Sequence, residues 1–240
     1  MLPPIKGFIP NTLIDWEGRI ASIIFLPGCN LRCPYCHAGH LVGAPNTLES
    51  IPFDSLEEKA RSQRGWLDGV VISGGEPTLH NTLAELCERI RSLGLGVKLD
   101  TNGTRPDHLR FLIEKGLVDC VSMDVKAPLD KYPQATRADC DVAAVRESIT
   151  MLLDGDLEYE FRMTVCPAVS TEEDVMNTAK EIRGARVFYL QQFNPEFAMD
   201  PSLRDVRPYP REQLREFAQK ASRFVNLCVV RGEPLPVAAD

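Results

Sequence analysis

The sequence predicts an α/β fold, a partial (β/α)6 TIM barrel, from three observations. Short apolar runs alternate with amphipathic stretches along nearly the whole chain, which is typical of parallel strands covered by helices. Six strand–helix units are predicted, too few for the closed eight-stranded barrel. Polar motifs follow four of the predicted strands, and active sites of α/β barrels lie at the C-terminal ends of their strands.

The apolar spacing predicts each element in order. Strands are expected over 19–26, 70–72, 96–100, 119–124, 158–165, 186–191 and 227–230. Helices are expected between them, over 53–64, 80–93, 106–115, 139–153, 171–183 and 210–224. Residues 191–210, which include four prolines, form the longest predicted loop and are a candidate for a mobile lid or a partner-docking segment.

These elements predict one domain over residues 1–240, with a core about 18–195 and a C-terminal helix and strand over 210–231. The net charge of −7 argues against a partner nucleic acid held by its phosphates. The sequence contains no uncharged apolar run long enough to span a membrane. Its first residues do not resemble a signal peptide. We therefore expect a cytoplasmic protein without a membrane segment.

Three cysteines, Cys29, Cys33 and Cys36, lie within eight residues directly after the first predicted strand. A 4Fe–4S cluster normally takes four cysteine ligands, so three thiolates would leave one iron open to chemistry. The alternative from these residues is a small structural zinc site completed by His37 or His40. The remaining cysteines are scattered and are expected to pack as small apolar groups: Cys87, Cys120, Cys140, Cys166 and Cys228.

The spacing C-x3-C-x2-C, with Tyr35 before the last cysteine, resembles the signature of radical S-adenosylmethionine (SAM) enzymes. The segment Gly74-Gly75-Glu76-Pro77 after the second predicted strand resembles the family's second motif, although alone it could be an ordinary turn. The resemblance implies a radical SAM domain with one 4Fe–4S cluster, whose open iron binds the amino and carboxylate groups of SAM. It also implies that Gly74-Gly75-Glu76-Pro77 meets the SAM amino group and that Tyr35 lies near the adenine.

Two further motifs, Asp100-Thr101-Asn102-Gly103 and Asp124-Val125-Lys126, resemble glycyl radical enzyme activating enzymes. The opening segment 6–18 has the same resemblance, which is greatest to the activating protein of anaerobic ribonucleoside-triphosphate reductase. It implies a monovalent cation site made by Asp100, Thr101 and Asp124, and a SAM pocket that includes Asn102 and Lys126. Two facing carboxylates repel each other unless a cation or a lysine side chain compensates their charge.

Two more candidates follow from the same resemblance. Arg162, on the strand predicted over 158–165, is implied to approach SAM, and Gln192 is implied to contact the ribose. Because the 37 residues between Cys36 and Gly74 contain no further cysteine, we expect one cluster per chain.

The resemblance implies an enzyme that reductively cleaves SAM and removes a Cα hydrogen from a glycine of a partner glycyl radical enzyme. Anaerobic ribonucleotide reductase is the expected partner, and a flavodoxin- or ferredoxin-type protein the expected electron donor. One alternative is a small-molecule radical SAM enzyme resembling 7-carboxy-7-deazaguanine synthase. The other is a non-enzymatic metal-binding interaction protein.

Overall fold

Eight strands form one sheet in chain order in the computed structural model, which describes residues 1–233. The first strand pairs antiparallel with the second, and all later neighbours are parallel. The strands are β1 (Gly7–Thr12), β2 (Ala21–Leu26), β3 (Gly69–Gly74), β4 (Gly96–Thr101), β5 (Cys120–Asp124), β6 (Glu158–Val165), β7 (Phe188–Gln192) and β8 (Cys228–Val230).

Helices follow each of the six strands β2–β7, which confirms the partial (β/α)6 architecture. They are α1 (Gly39–Gly43), α2 (Asp54–Ser62), α3 (Leu83–Ser92), α4 (Pro106–Glu114), α5 (Tyr132–Thr136), α6 (Val142–Asp154), α7 (Glu172–Glu181) and α8 (Arg211–Ala221). Parallel neighbours need such crossover connections, because a short hairpin cannot return the chain to the same end of the sheet. Among residues 1–233, none of the helices combines the length and apolar character needed to cross a membrane.

Strands β4, β5 and β6 divide their side chains between two environments. One set of alternate residues is buried in the main apolar core with the helices: Val97, Leu99, Val121, Met123, Phe161 and Met163. The other set is polar: Lys98, Asp100, Ser122, Asp124, Glu160 and Arg162. Because successive side chains of a strand point to opposite faces, the polar set shares the inner face of the partial barrel.

The N-terminal segment contains a strand that the sequence did not predict. Strand β1 is short and includes Pro10, and it pairs with β2 from Gly7 opposite Phe25. Beyond it, Trp16 is buried beside the first residues of β3 and β4. A Cβ on Gly69 would lie 2.6 Å from the Trp16 ring. The segment after β1 therefore packs against the N-terminal ends of these strands.

Two other regions differ from the predicted elements. The helix expected over 139–153 begins at Val142, where Asp141 caps it, and the short helix α5 precedes it. The predicted loop 191–210 contains two short 3-10 turns, and Met199 N donates to Cys36 O (3.1 Å). Asp200 N donates to Pro34 O (2.9 Å) as well, so this segment is tied to the cysteine loop. Whether it serves as a mobile lid or a partner-docking segment stays a prediction.

Glu160 is the centre of a buried ionic network below the rim of the sheet. Lys98 has no exposed surface, and its Nζ lies 3.0 Å from Glu160 Oε1 and 2.6 Å from Asp15 O. The same Glu160 oxygen accepts bonds from Ser122 Oγ (2.6 Å) and Arg231 Nη1 (3.2 Å). Burial opposes ionisation of Glu160, but the positive charges of Lys98 and Arg231 outweigh it and hold its pKa below the usual value.

Replacing Glu160 with Ala should destabilise the protein by roughly 3–5 kcal/mol, because it leaves the buried Lys98 ammonium without its carboxylate. The matched control is Glu147→Ala, which removes a pair with Arg110 whose side chains are 49% and 44% exposed. That change should cost less than about 1 kcal/mol. Urea unfolding measures both, and equal losses for the two variants would contradict the importance of the buried network.

Candidate active site

A cavity of about 200 Å³ opens at the C-terminal ends of strands β2 to β6. Its lining includes most of the predicted site residues: Cys29, Cys33, Tyr35, Cys36, Gly74, Gly75, Asp100, Thr101, Asn102, Asp124 and Lys126. These residues come from four separate strand ends, as the parallel arrangement requires. The geometry places the two proposed family motifs and the acidic residues around one space.

The cysteine loop that follows β2 is fixed by backbone bonds to its neighbours. Gly28 N donates to Leu41 O (2.9 Å), and Arg32 N donates to Thr136 O (2.8 Å). Cys33 is buried, Cys29 and Cys36 are half-buried, and all three are free thiols. Burial raises the pKa of Cys33 to about 11, and the positive charge of Lys126 acts against this rise.

The three thiols do not form a site for a single ion. Within residues 1–233, no three His, Cys, Asp or Glu side chains converge closely enough to hold one metal ion. His37 is exposed, its Nε2 accepts a bond from Asn194 N (3.3 Å), and its ring lies at the edge of Phe197. Three half-buried or buried thiols around one cavity are a donor set that fits a 4Fe–4S cluster, whose cysteines bind different irons.

Gly74 and Gly75 bring the end of β3 against the start of the cysteine loop. A Cβ on Gly75 would lie 1.8 Å from Gly28 O, and one on Gly74 would lie 2.1 Å from Leu26 O. Gly74 also has φ of 128°, a conformation that side-chain-bearing residues rarely adopt. The close approach allows Glu76 N to donate to Gly28 O (2.7 Å). Both glycines therefore connect the two motifs through their backbones.

The side chain of Glu76 does not face the cavity. Its side chain is fully buried and accepts bonds from Thr78 N (3.1 Å), Thr78 Oγ1 (2.5 Å), Thr101 Oγ1 (2.7 Å) and Asn102 N (2.6 Å). Burial raises the pKa of Glu76, and these hydrogen bonds oppose the rise. Neither Glu76 nor the buried Pro77 lines the cavity, so the carboxylate joins β3 to the end of β4.

Asp100, Asp124, Lys126 and Arg162 form a connected cluster of two negative and two positive charges. Arg162 Nε and Nη2 donate to the two oxygens of Asp124 (3.0 and 3.2 Å), and its Nη1 donates to Asp100 Oδ2 (3.1 Å). Lys126 Nζ lies 3.0 Å from Asp124 Oδ2. Burial opposes ionisation of Asp124, but the charges of Arg162 and Lys126 outweigh it and lower its pKa to about 2.

The guanidinium group of Arg162 occupies the position between the carboxylates, where the resemblance implied a monovalent cation. Thr101, the third implied cation ligand, instead donates its hydroxyl to Glu76. Asp100, Thr101 and Asp124 all line the cavity, and a monovalent cation among them stays a prediction. Asp100 Oδ1 is buried and has no hydrogen-bond partner among the described residues, so one acceptor of the cluster is available to a ligand.

Tyr35 and Gln192 are the other two predicted SAM contacts, and only Tyr35 lines the cavity. Tyr35 lines the cavity, is buried beside Cys33, and donates its hydroxyl to Lys126 O (3.4 Å). Gln192 donates to Tyr209 O (2.9 Å) and does not line the cavity. The cavity also includes residues that sequence analysis missed: Ser73, Thr164 and Met199. Ser73 directly precedes the glycine pair and Thr164 lies two residues after Arg162, so strand alternation could have indicated both.

Residues 23–182 match the family model described as the Radical SAM superfamily. The chain belongs to this superfamily. The radical SAM chain is 33% identical over 238 residues to a Methanocaldococcus jannaschii protein named "Putative glycyl-radical enzyme activating enzyme", with 95% of each chain covered. Radical SAM enzymes use a 4Fe–4S cluster together with SAM, and the arrangement of thiols described above fits that cluster.

Two other similarities concern shorter regions or the fold alone. A crystallised domain of pyruvate-formate lyase-activating enzyme from Bacteroides vulgatus has a TM-score of 0.56 at 18% identity. The match covers 69% of the radical SAM chain and 99% of that domain, and it supports the fold. A 7-carboxy-7-deazaguanine synthase from Hyperthermus butylicus is 40% identical over 96 residues, 38% of each chain.

Changing Gly75 to Ala should destabilise the protein by roughly 1–3 kcal/mol or more, because the new Cβ would overlap the backbone oxygen of Gly28. Gly43→Ala is the control, since a Cβ there meets nothing within 4 Å. That second change should leave the free energy of unfolding unchanged or slightly higher. Urea unfolding of both variants checks this, and a Gly75→Ala protein as stable as wild type would refute the described contact.

Proposed function

We propose that this radical SAM chain is a glycyl radical enzyme activating enzyme. Its substrate would be a glycine in a partner protein, from which a Cα hydrogen atom is removed. The observation that carries this proposal is the similarity to the Methanocaldococcus jannaschii protein, which extends over 95% of both chains. By contrast, the similarity to the deazaguanine synthase covers only 38% of this chain.

In this proposal Cys29, Cys33 and Cys36 bind three irons of the 4Fe–4S cluster. When bound, the cluster supplies the electron that divides SAM into methionine and a 5′-deoxyadenosyl radical. Thiolates are the metal-binding form of cysteine, and the buried Cys33 thiol has a raised pKa. The positive charge of Lys126 acts in the opposite direction and favours the thiolate.

The acidic and basic cluster is proposed to hold the methionine part of SAM. Lys126 lines the cavity and is positioned for the SAM carboxylate, and the unpaired Asp100 Oδ1 can accept a hydrogen bond from the ligand. Arg162 does not line the cavity, and its guanidinium group holds Asp100 and Asp124 in place. Asp124 holds both positively charged side chains in place, because it contacts Arg162 through two hydrogen bonds and Lys126 through one ion pair. Gly74 and Gly75 line the same cavity with backbone groups, and their lack of a Cβ allows the close approach to Leu26 and Gly28.

The partner and the electron donor are further parts of the proposal. From the resemblance of the sequence motifs we propose anaerobic ribonucleotide reductase as the glycyl radical enzyme. We also propose a flavodoxin- or ferredoxin-type protein as the electron donor. A monovalent cation beside Asp100 and Asp124 would require Arg162 to move, because its guanidinium group contacts both carboxylates. We therefore assign the compensating charge to Arg162, and the monovalent cation stays a prediction.

A small-molecule reaction is the second candidate, favoured by the 40% identity over 96 residues to the deazaguanine synthase. Such an enzyme would consume a heterocyclic substrate in the cavity and would leave partner proteins unmodified. The two candidates share the cluster and SAM, so only the acceptor of the radical separates them.

Anaerobic reconstitution should give about four irons and four sulfides per chain, since one cluster is expected. Cys33→Ala should lose the cluster, because it removes one of three ligands in the cavity. Cys87→Ala is the control: this thiol is buried on α3 and does not line the cavity, so its iron content should equal that of wild type. Iron and sulfide analysis measures both, and an intact cluster in the Cys33→Ala protein would exclude the proposed ligand set.

Incubation with dithionite, SAM and the partner glycyl radical enzyme should produce an organic radical on the partner. Electron paramagnetic resonance should show a doublet that becomes a singlet when the glycine carries deuterium at Cα. The deuterium should then be found in 5′-deoxyadenosine, because the C–H bond is broken by hydrogen-atom transfer.

The control for this experiment is the partner with its radical-site glycine changed to alanine, which should give no such doublet. If SAM is cleaved and candidate partners acquire no radical, while a deazapurine precursor is consumed, the small-molecule function is correct and the activating function is wrong.

A further inference from the structure

Asn102 contacts the cysteine loop directly, although sequence analysis assigned it to the SAM pocket. Its Nδ2 lies 3.8 Å from Cys29 Sγ, within the range of a hydrogen bond to sulfur, and 3.0 Å from Asn30 Oδ1. Asn102 is only 4% exposed, so water does not compete freely for its amide group. The side chain therefore donates to a thiol that is proposed to bind the cluster.

The orientation of this amide group is determined by its other contacts. Asn102 Oδ1 accepts bonds from Thr104 N (3.0 Å) and Thr104 Oγ1 (2.7 Å). A backbone N–H can only donate, so the atom facing Thr104 N must be the amide oxygen. The NH2 group must then face Cys29 and Asn30. Asn30 Nδ2 completes a ring of side chains by donating to Thr104 Oγ1 (2.8 Å).

Glu76 fixes the backbone that carries this amide group. Its Oε2 accepts a bond from Asn102 N (2.6 Å), and its Oε1 accepts one from Thr101 Oγ1 (2.7 Å). Since Glu76 is fully buried and follows the glycine pair on β3, the position of Asn102 is coupled to the second motif. The donor group cannot easily turn away from Cys29, because both its backbone and its oxygen are held.

We propose that Asn102 is a positioning residue that raises the reduction potential of the bound cluster by donating a hydrogen bond to Cys29. Hydrogen bonds to the sulfurs of an iron–sulfur cluster are one of the factors that set its potential. Reduction adds negative charge to the cluster, so a donor stabilises the reduced form more than the oxidised form. This role concerns only the cluster and is independent of whether the radical acceptor is a protein or a small molecule.

The test compares midpoint potentials of reconstituted protein by redox titration monitored with electron paramagnetic resonance, without a radical acceptor. Asn102→Leu removes the donor at nearly constant size. Asn102→Asp keeps an oxygen for Thr104 and replaces the donor with a negatively charged oxygen. Both variants should have more negative potentials, by about a tenfold change in the reduction equilibrium, or ~59 mV for a one-electron couple. The shift for Asn102→Asp should be the larger one because of the added charge.

Thr104→Val is the matched control. It breaks the ring at the Thr104 hydroxyl but retains Thr104 N as the anchor of the amide oxygen, so the potential should remain that of wild type. An equal shift in Thr104→Val would show that a loosened loop, rather than the donor, changes the potential.

Iron content of each variant decides the remaining outcomes. Wild-type potentials in fully loaded Asn102→Leu and Asn102→Asp proteins would overturn the proposal. If Asn102→Leu cannot hold the cluster, Asn102→Asp alone decides. If neither variant can be loaded while Thr104→Val can, Asn102 is required for cluster assembly and the tuning role is wrong. Since no radical acceptor is present, a failed activation assay would leave this result unaffected.

Discussion

The inner face of β4, β5 and β6 carries charges that must be neutralised inside the barrel, and the rest of the structure depends on how this is done. An isolated buried charge costs several kcal/mol even after relaxation, so each must meet an opposite charge. Near the N-terminal ends of the strands, Glu160 meets Lys98 and Arg231. Arg231 follows β8, and Asp15, whose carbonyl oxygen contacts Lys98, precedes β2. Segments from before β2 and from after β8 therefore both contact the buried Lys98–Glu160 pair.

The same requirement shapes the rim of the barrel. Asp100 and Asp124 lie on neighbouring strands, and Arg162 spans both from the next strand. Because Arg162 and Lys126 already balance the two carboxylates, this site does not need an added ion to remain stable without a ligand. A ligand that carries both an ammonium and a carboxylate group, such as SAM, adds no net charge through these two groups. Such a ligand can therefore bind beside the charged side chains of the rim without disturbing the balance between their charges.

Features that depend on local sequence patterns could be predicted, whereas features that depend on contacts between distant segments could not. The six strand–helix units follow from hydrophobic periodicity, and the rim motifs follow from their position after strands. Strand β1 was missed because it contains Pro10, has no buried residues and depends on pairing with β2. The sequence could not predict that the Glu76 side chain points away from the cavity, because its partners Thr101 and Asn102 lie at the end of another strand. Arg162 was found as a candidate, but its position between two carboxylates depends on the register of three strands.

The end of β4 connects the two parts of the site because its successive residues point in different directions. Asp100 belongs to the charged cluster with Arg162, whereas Thr101 turns to the buried Glu76. Asn102 then reaches Cys29 in the cysteine loop. A rigid strand end thus fixes the distance between the charges proposed for SAM and the thiols proposed for the cluster. A reaction between two bound groups depends on how they are positioned, and this segment holds both sets of proposed binding residues in one rigid unit. The Glu76 carboxylate holds this strand end in place through its hydrogen bonds to Thr101 and Asn102. This structural role explains why an ionisable group is fully buried without lining the cavity.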